Sequence, residues 1–381
     1  MNKLIGKYLN HTLKNMKISI VAGARPNFMK IAPIIDAIKI KQNQGLDISF
    51  RLIHTGQHYD KNLSDTFFQE LGIPLPNINL EVKSGSQAEQ TAAIMIGFEK
   101  ELSNFPSDLV LVVGDVTSTM ACSIVAKKEG VKVAHVEAGI RSGDLLMPEE
   151  INRIVTDSLT DFYFTTSTYA NENLLKLGVE ESKIFFVGNV MIDTLLKNIP
   201  KFNEPPIFNA LGLNSQKYIV LTLHRPSNVD EEKVFADLMR NISRIAKDFK
   251  IIFPVHPRTK KLLEGLNLNL PNVHYIEPLG YLQFNFLVKN SFLVMTDSGG
   301  ITEETTVMGI PCLTLRNSTE RPETCDFGTN MLIGSDVVLM EEAITKIVAG
   351  KWKKGSVPEL WDGNAATRIV EVLIKLYNIK P

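Results

Sequence analysis

One pattern, repeated along most of the chain, limits its fold more than any other feature. A short apolar run is followed by a polar or glycine-bearing turn and then by residues with helical spacing. The first series of runs is Lys17–Ala22, Ile48–His54, Leu109–Val113, Val131–Val136, Phe162–Thr165 and Lys183–Val187. The second is Tyr218–Leu223, Lys250–Pro254, Val273–Ile276, Phe292–Met295 and Cys312–Leu315, with Leu332–Ile333 as a short last member. Near-continuous apolar strands are those of parallel sheets buried on both faces. Alternation with helices then demands right-handed crossovers. The expectation is an α/β chain with two doubly wound halves.

Between the two series, Gly188-Asn189-Val190 begins a link, and the polar, proline-bearing Lys201–Pro206 cannot lie inside a sheet. At 381 residues the chain exceeds one average domain. A helix is expected over Leu63–Leu71, another over Ser86–Leu102, and an amphipathic one over Ala365–Tyr377. Hydrophobic content of 44% and charged content of 22% suit large buried cores. A formal net charge of -1 supplies no field for nucleic acid or an anionic membrane, so an anionic ligand needs a local cluster of cations and N–H groups. The cysteines Cys122, Cys312 and Cys325 are odd in number, far apart and without metal-ligand spacing. The first residues read as a short extension with no signal-peptide core, and no apolar run is long enough to span a bilayer. A cytoplasmic protein is expected.

The stretch Leu293–Glu323 is the most informative. An apolar strand leads into Asp297-Ser298-Gly299-Gly300, a short helix over Ile301–Met308 follows, and Gly309-Ile310-Pro311 stops it. Glycines at a helix N-terminus let an anion approach free amides and the helix dipole. Glu303 and Glu304 are placed in the first turn, and Arg321 adds a fixed cation. Alone, such a turn is common in α/β proteins.

Other strand ends shift that balance, because ligands of open α/β sheets bind there. In the first half they carry Arg25, Lys30, His58, Asp115, Glu137, Arg141 and Glu149. In the second they carry His224, Arg225, His256, Arg258, Ser298, Glu304 and Arg321. Two sheets facing each other would gather both sets in one cleft, as in an enzyme for an anionic ligand. Asp115 has a bland alternative as a helix cap, and Glu149 and Glu150 as first-turn acids. An unpaired buried carboxylate at Glu137 would be costly, which favours a function there.

Five stretches together resemble the non-hydrolysing UDP-N-acetylglucosamine 2-epimerases: GARPNFMKIAP at Gly23–Pro33, HVEAGIRSGD with MPEEINR at His135–Arg153, LHRPSN at Leu223–Asn228, PVHPR at Pro254–Arg258, and TDSGGITEE with TERPE at Thr296–Glu323. The resemblance runs from about Lys17 to near the C-terminus. It implies two Rossmann-like domains of the glycosyltransferase-B type, facing across a cleft, with Ala365–Tyr377 crossing back to the first. The domains would then be 1–187 with 366–381, and 188–365. It further implies reversible conversion of UDP-GlcNAc to UDP-ManNAc through a 2-acetamidoglucal, in a homodimer.

No redox cofactor is needed for such a reaction, and neither half shows G-x-G-x-x-G after its first strand; no metal is implied. By the same resemblance, Asp115, Glu137, Glu149 and His224 are catalytic. Arg25 and Lys30 lie near diphosphate and sugar, Phe284 packs on uracil, and Ser298, Gly299 and Gly300 hold the diphosphate. Glu304 takes the ribose hydroxyls and Arg321 contacts UDP. Gln57, His58 and His256 are candidates for an allosteric or orienting role. The chain departs from the family pattern at the short Leu145-Leu146-Met147, at Tyr59, and at Pro226-Ser227-Asn228 after His-Arg. Other UDP-2-acetamido sugars, 6-deoxy or diacetamido-uronic, are alternative substrates. A retaining UDP-sugar glycosyltransferase is the alternative reaction.

Overall fold

Branched and aliphatic runs pack as buried strands because their side chains fit a pleated surface covered on both sides. In the structure, a computed structural model that describes residues 15–56, 71–255, 257–266 and 268–380, these runs form two all-parallel sheets. The first contains β1 Met16–Ala22, β2 Ile48–His54, β3 Ile78–Asn79, β4 Leu109–Val113, β5 Lys132–Val136, β6 Phe162–Thr165 and β7 Ile184–Phe186, in the order β3-β2-β1-β4-β5-β6-β7. The second contains β8 Tyr218–Thr222, β9 Lys250–Pro254, β10 Val273–Ile276, β11 Leu293–Thr296, β12 Cys312–Thr314 and β13 Asn330–Leu332, in the order β10-β9-β8-β11-β12-β13. Strand order reverses between β1 and β4, and again between β8 and β11. These are the topological switch points at which open sheets leave room for ligands.

Two strands differ from expectation. β3 is only two residues long and carries no apolar run to announce it. β13 begins at Asn330, before the expected Leu332–Ile333, because Asn330 is in register with Cys312. The buried amide is satisfied there by Thr314 Oγ1 at 2.6 Å and Thr324 Oγ1 at 3.1 Å, so a polar residue enters the sheet without penalty. Of the helix expected over Leu63–Leu71, only Leu71 lies within the described residues.

The chain divides into two compact units, Met1–Thr194 with Asp362–Pro381, and Leu195–Trp361. The first unit takes back the last helix, Ala365–Leu376, which buries Ile369, Val370 and Leu373. Its opening amides need a partner. Asp193 supplies one, accepting from the amides of Ala365 at 3.1 Å and Ala366 at 2.7 Å. Burial pushes the Asp193 carboxyl up to about 6, against the pull of those two hydrogen bonds. Among the described residues, no helix is long and apolar enough to cross a membrane.

Candidate active site

In the first unit, the turn from β1 into helix Arg25–Asn43 is held by a buried amide. Asn27 Oδ1 accepts from the backbone of Gly23 at 3.1 Å and Ala24 at 2.9 Å, while its Nδ2 donates to Val113 O at 3.0 Å. The end of β1 is thus tied to the end of β4 across the switch point. One helical turn beyond Asn27, Lys30 shares its face, and Lys30 Nζ lies 2.6 Å from Glu137 Oε2. Glu137 is buried just past β5 with φ +71°, a left-handed conformation that costs a side-chain-bearing residue about 1–2 kcal/mol. The amides of Glu137 and Ala138 both donate to Phe164 O, at 3.0 and 3.1 Å, and hold that kink. Gly114, with φ +66°, makes room for the pair. A Cβ there would stand 3.0 Å from Lys30 Nζ and 3.7 Å from Glu137 Oε2.

Asp115 does not cap the following helix, whose N-cap is Val116 with no side-chain bond. Its carboxylate instead accepts from Arg153 Nη2 at 2.5 Å, and its carbonyl from Asn152 Nδ2 at 2.8 Å. The same guanidinium grips Glu150 through Nη1 at 2.7 Å. Glu150 also accepts from Ser142 N at 2.9 Å, Ser142 Oγ at 3.1 Å and Gly143 N at 3.2 Å. Burial acts to raise its pKa, but these bonds and Arg153 outweigh it and hold the carboxyl below the ordinary range. Glu150 therefore braces a loop. Its neighbour Glu149 is half-buried and, among the described residues, makes no side-chain hydrogen bond or ion pair.

Beneath these groups lies a buried ionic cluster. Asp157 accepts from His135 Nδ1 at 2.7 Å, Arg141 Nη1 at 2.7 Å and Gly139 N at 3.1 Å. Burial raises its pKa, and His135 and Arg141 more than reverse that. His135 Nε2 lies 2.8 Å from Gly114 O, so the cluster reaches the turn that carries Asp115.

In the second unit, β11 runs into helix Gly299–Met308, which Gly309 closes with φ +70°. Ser298 is the N-cap residue, without a side-chain cap bond. The Ser298 amide is engaged by Thr296 Oγ1 at 3.0 Å, and Thr296 Oγ1 meets Thr222 Oγ1 at 2.6 Å across the switch point. Glu303 and Glu304 fall beyond the first turn, because the helix starts at Gly299, before the expected Ile301. Arg321 pairs with the buried Glu303. Glu304 accepts from Tyr281 Oη at 2.8 Å, and burial pushes its carboxyl up to about 7, with the nearby Glu303 charge adding to the rise against the Tyr281 hydrogen bond. Phe284, on helix Tyr281–Asn290, is part-buried against the core.

His224, just past β8, has its ring Nδ1 2.8 Å from Asp297 Oδ1. The Asp297 carboxylate also accepts the His224 amide at 3.0 Å, the Arg225 amide at 2.9 Å and Asn228 Nδ2 at 3.1 Å. Arg225 Nη2 lies 3.6 Å from Glu320 Oε1, and Glu320 forms a two-point pair with Arg316, each contact 2.8 Å. Gln57, His58 and His256 lie outside the described residues, as do the side chains of Arg25 and Arg258.

Residues 39–374 match the sequence profile of a family described as UDP-N-acetylglucosamine 2-epimerase. The chain belongs to that family. It is 42% identical over 369 residues to the UDP-N-acetylglucosamine 2-epimerase of Methanocaldococcus jannaschii, covering 94% of this chain and 99% of that one. It is 38% identical over 366 residues to a UDP-2,3-diacetamido-2,3-dideoxy-D-glucuronate 2-epimerase of Pseudomonas aeruginosa, covering 95% and 100%. A crystal structure of the M. jannaschii epimerase with UDP-GlcNAc and UDP superposes with a TM-score of 0.85 at 40% identity, covering 94% of this chain and 100% of that one.

Within this epimerase fold, the first unit brings Lys30, Asp115 and Glu137 to neighbouring strand ends, and the second brings His224, Ser298 and the glycines to the β8/β11 switch point. Sequence reasoning overlooked the residues that hold them: Asn27, Arg153, Asp157 and Asp297. Asn27, Arg153 and Asp297 lay inside quoted motifs. Arg153 reaches Asp115 across 38 residues and Asn27 reaches Val113 across 86, relationships that local spacing does not carry.

Proposed function

We propose that the protein is a non-hydrolysing 2-epimerase that interconverts UDP-GlcNAc and UDP-ManNAc. UDP leaves C1 as a base removes the C2 proton, giving a 2-acetamidoglucal. A proton then reaches the opposite face of C2, and UDP adds back. The observation that carries this reading is Glu137, a buried carboxylate held by Lys30 at 2.6 Å on a strained strand end beside Asp115. A weakly acidic C–H needs a base positioned in this way.

In this reading Glu137, Asp115, Glu149 and His224 share proton removal and return, and Arg153 aims Asp115. Arg25 and Lys30 attend the diphosphate and sugar. Ser298, Gly299 and Gly300 receive the diphosphate at a helix N-terminus, where amides and dipole favour an anion. Glu304 accepts from ribose hydroxyls, Arg321 contacts UDP, and Phe284 packs on uracil. The carboxylates belong to a first domain, 1–187 with 366–381, and UDP to a second, 188–365. A homodimer is the working assembly, and light scattering at monomer mass would remove it.

A proton NMR time course in deuterated water over a panel of UDP-HexNAc sugars tests the activity. Deuterium at C2 of UDP-GlcNAc with appearance of UDP-ManNAc is expected. No exchange on any sugar of the panel would sink the reading, and acceptor-dependent UDP release without exchange would make the protein a glycosyltransferase. A second reading draws on the P. aeruginosa relative: the sugar is a 2,3-diacetamido uronic acid. Exchange confined to that sugar selects it.

A further inference from the structure

The end of β11 holds a carboxylate that none of the roles above uses. Asp297 is fully enclosed, at 0% exposure. An enclosed carboxylate is costly unless its lone pairs are filled. Three donors here fix the loop after β8: the amides of His224 and Arg225, and Asn228 Nδ2. The fourth is different. It is the His224 ring nitrogen Nδ1, 2.8 Å from Oδ1, on a side chain that is 49% exposed. Bracing a loop needs only the first three. The ring bond holds one edge of an imidazole inward and leaves the other edge facing out.

A carboxylate only accepts hydrogen bonds, so the nitrogen facing it carries the hydrogen. With Nδ1 protonated, the neutral ring keeps its lone pair on Nε2. Burial alone would raise the Asp297 carboxyl, yet its donors, His224 first among them, hold it below the ordinary range, so it remains an anion beside the ring.

We propose that Asp297 is a positioning residue that fixes both the ring and the tautomer of His224, so that Nε2 is the nitrogen presented to the UDP-sugar. The inference rests on the catalytic role given to His224 above. When Nε2 takes a proton, the bond from that proton to the substrate breaks and its electron pair stays on the substrate. The new N–H bond uses the Nε2 lone pair. The imidazolium that forms lies against the Asp297 anion, and the reverse step restores both partners.

The test uses the full chain with nitrogen-15 in histidine, the His224 signals being identified by their loss in His224→Gln. In the wild-type protein, the neutral ring should carry hydrogen on Nδ1, with Nε2 showing the shift of an unprotonated nitrogen. In Asp297→Asn that preference should be lost. The C2 exchange rate should then fall about a hundred- to ten-thousand-fold, as when a histidine base is left in the wrong tautomer. UDP affinity should change by no more than about threefold. Adding Asp297→Asn to His224→Gln should lower exchange no further, because one residue acts through the other.

A wild-type ring with hydrogen on Nε2 would overturn the proposal, and that measurement needs no folded variant. Wild-type exchange in Asp297→Asn, or additive losses in the double variant, would overturn it too. If the wild-type protein exchanges no sugar at all, the epimerase reading fails, while the tautomer measurement still decides how Asp297 acts on His224.

Discussion

Lys30 Nζ and Glu137 Oε2 stand 2.6 Å apart, joining helix Arg25–Asn43 to the end of β5 across 107 residues of sequence. With only 14% and 3% of the two side chains exposed, neither charge is well solvated. Removing one partner of such a pair leaves a charge behind, at about 3 kcal/mol or more. Lys30→Met should therefore lower the urea midpoint sharply. Adding Glu137→Gln to it should recover most of the loss, because both charges are then gone. Exchange at C2 should remain absent in the double variant. A Lys30→Met protein as stable as wild type would show that the pair is not what holds Glu137.

Gly114 offers a sharper probe of the same site. Alanine at φ +66° costs about 1–2 kcal/mol from backbone strain alone. Its Cβ would also stand 3.0 Å from Lys30 Nζ and 3.6 Å from Asn27 Nδ2, so the ammonium must move off Glu137. Gly130→Ala is the control: φ there is +73°, with nothing within 4 Å of a Cβ. Gly130→Ala should lose only the strain, Gly114→Ala should lose more because the Lys30–Glu137 pair is also disturbed, and only Gly114→Ala should lose C2 exchange. Equal activities would mean that the Lys30–Glu137 geometry tolerates displacement.

Two adjacent carboxylates that the sequence could not tell apart are separated by their surroundings. Glu150 is tied to Arg153, Ser142 and Gly143, whereas Glu149 has no such partners among the described residues. Glu150→Gln should destabilise the fold by about 2 kcal/mol, since Arg153 loses a buried charged partner. Glu149→Gln should change stability by less than about 0.5 kcal/mol, yet reduce C2 exchange. The reverse pattern in chemical denaturation and exchange would transfer the chemical role to Glu150.

The sequence makes visible whatever depends on local pattern. Apolar runs gave nearly every strand, Pro148 opened its helix, and Gly309 closed the one after β11. What stayed hidden depends on distant partners. Asp115 had a helix cap as its bland alternative, and its carboxylate is held instead by Arg153, 38 residues on. Asp297 sat in a glycine motif that suggested anion binding, while its own carboxylate serves a loop 69 to 73 residues earlier. Asn330 was invisible as a strand residue because hydrophobicity does not register a buried amide satisfied by two threonines.

Glu304 makes stability depend on pH in a direction opposite to that of an ordinary ion-paired carboxylate. Burial, reinforced by the Glu303 charge, raises its carboxyl from 4.5 to about 7, and the Tyr281 hydrogen bond only partly offsets this. Between those values the folded protein holds a proton that the unfolded chain releases. The group's stabilising contribution is therefore complete below 4.5 and is lost as pH rises through about 7. Across that window the loss amounts to about 3 kcal/mol at most. Asp193, raised to about 6 by burial, has the same sign, so the wild-type slope contains both. Glu304→Gln isolates one of them. Urea unfolding at about pH 5 and about pH 7.5 should show a smaller decline for the variant than for wild type, the difference being the Glu304 share. Identical slopes would mean that Glu304 titrates as an ordinary carboxylate. If UDP fills the site by bringing hydroxyl donors to Glu304, as proposed, a saturating amount should flatten the wild-type slope toward that of Glu304→Gln, because donors favour the ionised carboxylate.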